Sequence, residues 1–202
     1  MKIRFIEPGN VPYKMSFKNL YVYDRFIRTP SNGLMTLATI VQNAHPDFDI
    51  LMYSESISKV KWNDVFDSDI VFISIFTFAS IRGYEIADFI RKNSGAKIIF
   101  GGLHATLDYG EVLPHCDYVL LGEGDETILK IIDAISKNEI PDFQGVACKN
   151  QRTGEIVCTG RAPLPRNIDV IPNRNICYRF QKMAGHNTIW PQVHASRGCP
   201  HN

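Results

Sequence analysis

Two short glycine-rich turns are the parts of this sequence best suited to approach a bound ligand. Gly101-Gly102-Leu103-His104-Ala105-Thr106 follows the apolar run Lys97–Phe100, and Gly122-Glu123-Gly124-Asp125-Glu126-Thr127 follows Asp117–Leu121. A residue without a Cβ lets the backbone come close to a bound molecule. The threonine, histidine and acidic side chains between the glycines add hydrogen-bonding groups. Taken alone, each turn is also typical of an ordinary entry into a helix, with His104 as a packing or capping residue.

Two further loops carry groups that could face the same ligand. The segment Ser74–Ser80 is rich in hydroxyls and aromatic rings and could line one face of a flat ring. The alternative is that Ser80 caps a helix while Phe76 and Phe78 lie in the core. The long loop Glu7–Asn32 is either functional or an insertion with its own packing. Gly33 follows it, where a helix would begin with free backbone N–H groups.

These loops need a framework, and the sequence alternates strand and helix patterns over its first 136 residues. Strands are predicted at Lys2–Ile6, Asp49–Tyr53, Asp69–Phe76, Lys97–Phe100 and Asp117–Leu121, and helices at Gly33–Ala44, Ile81–Lys92 and Asp125–Ser136. Such alternation predicts an α/β fold, flavodoxin-like (Rossmann-type) and doubly wound, with a parallel five-stranded sheet in the order 2-1-3-4-5. Ligands of such sheets bind beyond the carboxyl ends of the strands, where the four loops would lie.

The residues beyond 136 do not continue this alternation. Gly145–Lys149 and Glu155–Thr159 predict a β-hairpin that extends the sheet or packs as a flap. Ala162–Asn173 contains three prolines and is typical of an interdomain linker. We therefore divide the chain into an α/β domain over 1–160, a linker over 161–187 and the start of a second domain over 188–202. We expect residues from about 174 onward to be poorly packed or docked non-natively, because their partner elements are missing.

Composition excludes several classes of protein. The 202 residues are 45% hydrophobic and 21% charged, which is ordinary for a globular protein. A net charge of +1 gives no electrostatic reason to expect nucleic acid or an anionic membrane as a partner. No apolar run is long enough to span a bilayer. Five cysteines without a CxxC pair give little support for zinc and indicate a reduced, cytoplasmic setting.

The order and spacing of the motifs resemble those of cobalamin-dependent radical S-adenosylmethionine (radical SAM) proteins. The last motif, Ser196-Arg197-Gly198-Cys199, is similar to the opening of the CxxxCxxC loop of that family. The sequence stops one residue before the second cysteine is due, so we expect the chain to be the N-terminal piece of a longer enzyme. The other matching residues are Gly101, Gly102, His104, Thr106, Gly122, Glu123, Gly124 and Thr127. Asp125 stands where family members often carry a second glutamate.

The resemblance implies a cobalamin site at the ends of the third, fourth and fifth strands, with the dimethylbenzimidazole tail in a slot of the α/β domain. The residues expected to contact the cofactor are Gly33, Ser74, Phe76, Thr77, Gly101, Gly102, His104, Thr106, Gly122, Glu123, Gly124 and Asp125. The Asp-x-His-x-x-Gly string with which methionine-synthase-type domains ligate cobalt is absent. We therefore expect base-off cobalamin without a protein histidine on the cobalt.

The resemblance also implies what the complete enzyme does. Cys199 would be one ligand of a four-iron four-sulfur cluster that binds S-adenosylmethionine, held in a C-terminal radical SAM barrel that this chain lacks. The enzyme would be a methyltransferase or a related iron–sulfur oxidoreductase acting on an unactivated carbon. The present chain would be its cobalamin-binding module, without catalysis of its own.

Two alternatives stay open at this point. The α/β domain could have lost the cofactor and serve as a scaffold or a substrate-binding domain of a radical SAM protein. It could also be a flavodoxin-like nucleotide-binding or regulatory domain. The second alternative is disfavoured because Glu7-Pro8-Gly9-Asn10, rather than a GxGxxG motif, follows the first strand.

Reconstitution of this chain with iron and sulfide should not give a stoichiometric four-iron cluster. The expected reason is that Cys199 is the single cysteine of the motif within the sequence, whereas the family's cluster needs three. Mössbauer spectroscopy, together with iron and sulfide quantification, measures the outcome. One cluster per chain would contradict this expectation.

Overall fold

The computed structural model describes residues 1–9, 29–150 and 153–180. Seven strands of these residues form one sheet in the order β2-β1-β3-β4-β5-β6-β7. The strands are β1 (Lys2–Glu7), β2 (Asp49–Ser54), β3 (Ile70–Ser74), β4 (Lys97–Gly101), β5 (Tyr118–Leu120), β6 (Val146–Lys149) and β7 (Ile156–Cys158). The first five pair in parallel, and β6 and β7 add antiparallel. The predicted flavodoxin-like α/β fold and its 2-1-3-4-5 order are confirmed, and the predicted hairpin extends the sheet.

Helices cover both faces of the sheet. They are α1 (Asn32–Ala44), α2 (Trp62–Phe66), α3 (Ser80–Asn93), α4 (Leu103–Leu107), α5 (Tyr109–Val112) and α6 (Thr127–Ser136). Helices α1 and α6 contribute apolar side chains to the core on one face, and α2 to α5 contribute to the core on the other. The sequence did not predict α2, α4 and α5, because helices of four or five residues are too short to show a periodic pattern.

Strand β3 explains why the apolar run around it has no polar alternation. Ile70 and Phe72 belong to the core beneath α1 and α6, whereas Val71 and Ile73 belong to the core on the opposite face. Successive side chains of a strand point to opposite faces, so a strand covered twice must be apolar throughout. Each such side chain stabilises the fold by roughly 1.5–3 kcal/mol when it is fully buried.

In the described part of the chain, no helix has the length and apolar character that crossing a membrane requires.

The segment Asn173–Phe180 packs back onto the domain. Its Tyr178 backbone N–H donates to the Met52 carbonyl at 2.8 Å, and the Asn173 side chain donates to Gln42 Oε1 at 2.8 Å. Three of its side chains are buried, namely Ile176, Cys177 and Phe180. Of the two expectations for residues from 174 onward, poor packing is therefore wrong for 174–180, because these apolar groups pack beside α1 and β2; non-native docking stays a prediction. The domain limits 1–160, 161–187 and 188–202 stay a prediction, and the predicted second domain at 188–202 lies outside the described residues.

A buried arginine joins β1 to β2 and α2. The side chain of Arg4 is only 2% exposed. Its Nε donates to Asp64 Oδ2 at 2.6 Å, and its Nη2 donates to Asp49 Oδ2 at 2.7 Å. The Tyr53 hydroxyl donates to Asp64 Oδ2 at 2.8 Å. The Arg4 guanidinium, with help from Lys2 and Tyr53, holds the pKa of Asp64 well below its usual range.

Asp64→Asn should lower the free energy of unfolding by about 2–4 kcal/mol, because it leaves the buried Arg4 guanidinium with one carboxylate fewer. A depressed pKa stabilises the fold above the unfolded-state pKa of about 4, and that stability is lost as the pH falls through the folded-state pKa. Urea unfolding at a series of pH values measures this effect. As the pH falls below about 4, the free energy of unfolding should decrease less for Asp64→Asn than for the native chain.

Asp67→Asn is the matched control, because Asp67 also pairs with a lysine but its side chain is 80% exposed. It should change stability by less than about 1 kcal/mol. Equal losses of stability in the two variants would show that the buried contacts of Arg4 contribute no more to stability than an exposed ion pair.

Candidate functional site

The carboxyl ends of the central strands meet at one edge of the sheet. Ser74 pairs with Gly101 across β3 and β4, and Phe100 pairs with Val119 across β4 and β5. The predicted ends of these strands, Phe76, Phe100 and Leu121, therefore lie at the same edge of the sheet, as the predicted parallel order requires. Loops that are far apart in the sequence leave the sheet side by side.

An open cleft of about 420 Å³ lies at this edge, between the start of α1 and the turns that follow β3, β4 and β5. Predicted site residues form most of its wall, namely Gly33, Ser74, Phe76, Gly102, Thr106, Gly122, Glu123, Gly124 and Asp125. The wall is completed by five residues that are not among the predicted cofactor contacts, namely Ser31, Leu34, Leu37, Leu103 and Arg161. The predicted residues therefore converge on one concave surface.

A narrower pocket of about 50 Å³ continues from this cleft between the helix layer and the sheet. Its apolar walls are Phe5 and Phe72 from the sheet, Leu34 from α1 and Ile128 from α6. Gly101, also a predicted site residue, lines this inner pocket. Six residues line both spaces, namely Leu34, Leu37, Ser74, Gly102, Gly122 and Gly124. The open cleft thus forms a mouth of mixed polar and apolar residues, and the inner pocket behind it is apolar.

Two of the predicted glycines are required by the backbone itself. Gly102 has φ +94°, and an added Cβ would lie 2.7 Å from the Ile75 carbonyl oxygen. Gly122 has φ +84°, and an added Cβ would lie 3.3 Å from the Ala162 nitrogen. Because L side chains rarely adopt such φ values, a substitution at either position strains the turn before any ligand is considered.

Three other glycines have ordinary φ values and leave space at the wall of the site. A Cβ at Gly33 would come within 4 Å only of Ser31 Oγ, at 3.8 Å, and one at Gly101 only of Leu120 Cβ, at 4.0 Å. A Cβ at Gly124 would lie 3.1 Å from Leu37 Cδ1, the end of a flexible side chain. Because Gly33 and Gly124 line the cleft and Gly101 lines the inner pocket, side chains at these positions would take space from the site rather than strain the backbone.

The loop after β3 presents aromatic rings to the outside. Phe76 and Phe78 are 47% and 58% exposed, and their rings stack with centroids 5.5 Å apart. Ser80 is the first residue of α3, and its hydroxyl donates to the Thr77 carbonyl at 3.0 Å instead of capping the helix. The alternative of a Ser80 cap with both phenylalanines in the core is therefore wrong. Phe76 lines the cleft, whereas Thr77 is exposed beside it.

His104 lies behind the glycine turn and does not line the cleft. It is 7% exposed, and its Nε2 lies 2.9 Å from the Tyr84 hydroxyl, which donates to Glu111 Oε1 at 3.0 Å. Tyr84 has one hydrogen and a carboxylate only accepts, so His104 Nε2–H must donate to the Tyr84 oxygen. Burial, reinforced by Glu111, raises the pKa of Tyr84. These contacts fasten α4 to α3 and α5.

Both ends of the long loop after β1 are held at the sheet edge. The Glu7 carboxylate accepts from the Ser31 backbone N–H at 3.1 Å, and Ser31 Oγ accepts from the Leu34 N–H at 3.2 Å. Glu55 accepts from the Gly9 N–H at 2.8 Å and pairs with Arg82 at 2.8 Å. Burial raises the pKa of Glu7. The start of α1 is thereby fixed beside the cleft, while residues 10–28 lie outside the described part.

After the hairpin, the chain returns to the carboxyl edge of the sheet. There it adds a part of the cleft wall that the sequence did not predict. The Ala162 N–H donates to the Leu121 carbonyl at 2.8 Å, and the Gly145 N–H donates to the Gly160 carbonyl at 3.1 Å. These bonds carry Arg161 to the cleft although it is remote from the glycine turns in the sequence. Its position among proline-containing residues gave no signal of a ligand site.

The described residues contain no group of three or more histidine, cysteine, aspartate or glutamate side chains that could hold a metal ion. Cys116, Cys148, Cys158 and Cys177 are free thiols, and burial raises the pKa of Cys116 and of Cys177 to about 12. These two thiols therefore stay protonated and inert as ligands near neutral pH. Cys199, the predicted iron ligand, lies outside the described residues.

Comparison with solved structures shows which proteins share this fold. The radical S-adenosylmethionine methyltransferase TsrM from Kitasatospora setae, solved with cobalamin and an iron–sulfur cluster, matches 85% of this chain with a TM-score of 0.58 and 15% identity. The cobalamin-dependent S-adenosylmethionine radical enzyme OxsB, solved with aqua-cobalamin, matches 81% with a TM-score of 0.63 and 13% identity. The chain covers 31% and 22% of those proteins. At such low identity these likenesses establish a shared fold.

Sequence comparison points to related enzymes, although no family model matches the chain. A Pyrococcus horikoshii protein named as an uncharacterized methyltransferase is 29% identical over 185 residues, which are 86% of this chain and 39% of that protein. The bacteriochlorophyllide d C-8(2)-methyltransferase of Chlorobaculum tepidum is 29% identical over 109 residues, which are 54% of this chain and 24% of that protein. The chain thus spans well under half the length of these relatives. The predicted resemblance to cobalamin-dependent radical SAM proteins is confirmed.

Tyr84→Phe should lower the free energy of unfolding by about 1–3 kcal/mol, because the buried His104 Nε2–H then loses its acceptor. Thermal or urea unfolding of the purified chain measures the loss. Tyr118→Phe is the control, since the Tyr118 hydroxyl has no hydrogen bond to any described residue, and it should change stability by less than about 0.5 kcal/mol. Equal stability of the two variants would mean that the Tyr84 bridge does not hold the turn.

Proposed function

We propose that this chain binds cobalamin at the carboxyl edge of its sheet, as the corrinoid-binding module of a radical SAM enzyme. The observation that carries the proposal is the convergence of both glycine turns, Ser74 and Phe76 on one cleft. The shared fold with TsrM and OxsB, both solved with cobalamin, supports it.

The residues of the mouth fit a large, flat, amide-rimmed ring. Phe76 and Leu103 offer exposed apolar surface at the mouth. Ser31, Ser74 and Thr106 are small hydroxyl residues of its wall, and Thr106 already accepts from the Gly122 N–H at 3.0 Å. The empty space beside Gly33 lets such a ring approach the first turn of α1. When bound, cobalamin supplies a cobalt centre that carries a methyl group or otherwise assists the radical reaction.

The inner pocket suits the tail base of a base-off corrinoid. Its walls are apolar, as the face of a dimethylbenzimidazole requires. A volume of about 50 Å³ holds only a few water-sized groups, so entry of the base requires the side chains that line the pocket to move apart. His104 is engaged with Tyr84, and His45, stacked on Phe48, lies at the far end of α1. The described loops around the cleft therefore offer no free histidine to the cobalt.

The complete enzyme would combine this module with a C-terminal radical SAM barrel. Cys199 would ligate a four-iron four-sulfur cluster there, and the cluster would bind S-adenosylmethionine. Methylation of an unactivated carbon is the favoured reaction, since the curated relatives include two methyltransferases. The module's own residues would bind and orient the corrinoid.

Hydroxocobalamin should bind the purified chain, and Gly33→Leu should weaken this binding roughly tenfold or more, since steric overlap of this kind costs about 1–3 kcal/mol. Equilibrium dialysis and visible absorption measure the affinity. Gly95→Leu is the matched control, because Gly95 also has open space around an added Cβ but lies in the loop before β4, at the opposite edge of the sheet.

The reduced complex gives a second readout. The cob(II)alamin electron paramagnetic resonance spectrum should show no axial nitrogen splitting, and His104→Ala should leave it unchanged. A folded native chain that fails to bind at high micromolar hydroxocobalamin would favour the scaffold reading instead. A nitrogen splitting that disappears in His104→Ala would refute the assignment of His104 as a structural residue.

A further inference from the structure

We propose that Arg161 is a specificity-determining residue of this cleft, which recognises the phosphodiester of a corrinoid's nucleotide tail. The cleft would thereby select complete corrinoids over those that lack the nucleotide. This inference rests on the proposed function and adds that the site recognises its ligand by the phosphodiester.

The backbone around Arg161 is fixed at the end of β5. The Ala162 N–H donates to the Leu121 carbonyl at 2.8 Å, and the Leu121 N–H donates to the Gly145 carbonyl at 2.9 Å. The Cβ of Arg161 lies 3.5 Å from the place that a Cβ on Gly122 would occupy. Arg161 is therefore anchored beside the second glycine turn, although it begins the stretch that composition marks as a linker.

Arg161 is the one cation among the described residues that line the cleft. The other ionisable side chains of this wall are acidic, namely Glu123 and Asp125. The Arg161 side chain is exposed, and it has no ion pair or hydrogen bond with any described residue. An anionic group of a ligand is repelled by most of the charged wall and attracted only where Arg161 stands.

The two-part shape of the site sets where such an anion would lie. Gly122 lines both the mouth and the inner pocket, so Arg161 stands next to their boundary. A corrinoid with its ring in the mouth and its base in the inner pocket has its connecting phosphodiester at this boundary. A guanidinium offers a planar fork of donors that matches two phosphate oxygens. The arrangement accounts for a cation in an otherwise acidic cleft.

The test compares two ligands that differ in the nucleotide. Dicyanocobalamin and dicyanocobinamide, in excess cyanide, are both base-off, but only the first carries the phosphodiester and base. Arg161→Met should weaken dicyanocobalamin binding about 3- to 10-fold, the range of an exposed charge-assisted contact, and leave dicyanocobinamide binding unchanged. Arg161→Lys should lie between the native chain and Arg161→Met. Higher ionic strength should shrink the difference for dicyanocobalamin.

Arg166→Met is the matched control, because Arg166 is exposed on the same stretch but does not line the cleft. It should leave both affinities unchanged, and circular dichroism should show equal folding of all variants. An unchanged ratio of the two affinities in Arg161→Met would overturn the role of Arg161 alone. Failure of the folded native chain to bind either corrinoid would overturn both this inference and the proposed function.

Discussion

The parallel pairing of β3, β4 and β5 is the constraint on which the candidate site depends. Parallel strands start at one edge of the sheet and end at the other, so the residues after Ser74, Gly101 and Leu120 must leave together. Such strands are covered by helices on both faces, which leaves the ends of the strands as the natural place for a ligand. Apolar side chains on both faces of β3 and β4 stabilise this arrangement. The position of the cleft is thus a consequence of the core.

The glycines at the cleft serve two different physical needs. Gly102 and Gly122 adopt positive φ values, so the direction of their turns depends on the absence of a Cβ. Gly33 and Gly101 have ordinary conformations and instead leave open volume along the wall. The first kind shapes the site, and the second kind keeps it accessible. A motif such as GGxHxT therefore mixes residues that build a turn with residues that admit a ligand.

Polar contacts behind the cleft hold the elements of the domain together. The Arg4 guanidinium joins β1 to β2 and α2, Glu7 fixes the start of α1, and His104 fastens the first glycine turn to α3 through Tyr84. Each of these groups is wholly or partly buried, where an unpaired charge or donor is costly. Arg4, Glu7 and His104 therefore support the fold behind the cleft and do not line it.

Much of the fold and part of the site follow from the sequence alone. Alternating apolar runs and amphipathic segments predict the α/β class and the strand order, because a strand buried on both faces and a helix buried on one have different patterns. The glycine turns predict the edge of the sheet at which the cleft lies. Only the tertiary structure decides that His104 turns away from the cleft, that Ser80 does not cap α3, and that residues 174–180 pack on the domain. It also brings Arg161 to Gly122, through backbone bonds to Leu121 and Gly145. Side-chain direction and long-range backbone pairing depend on contacts between distant segments, and no local pattern encodes them.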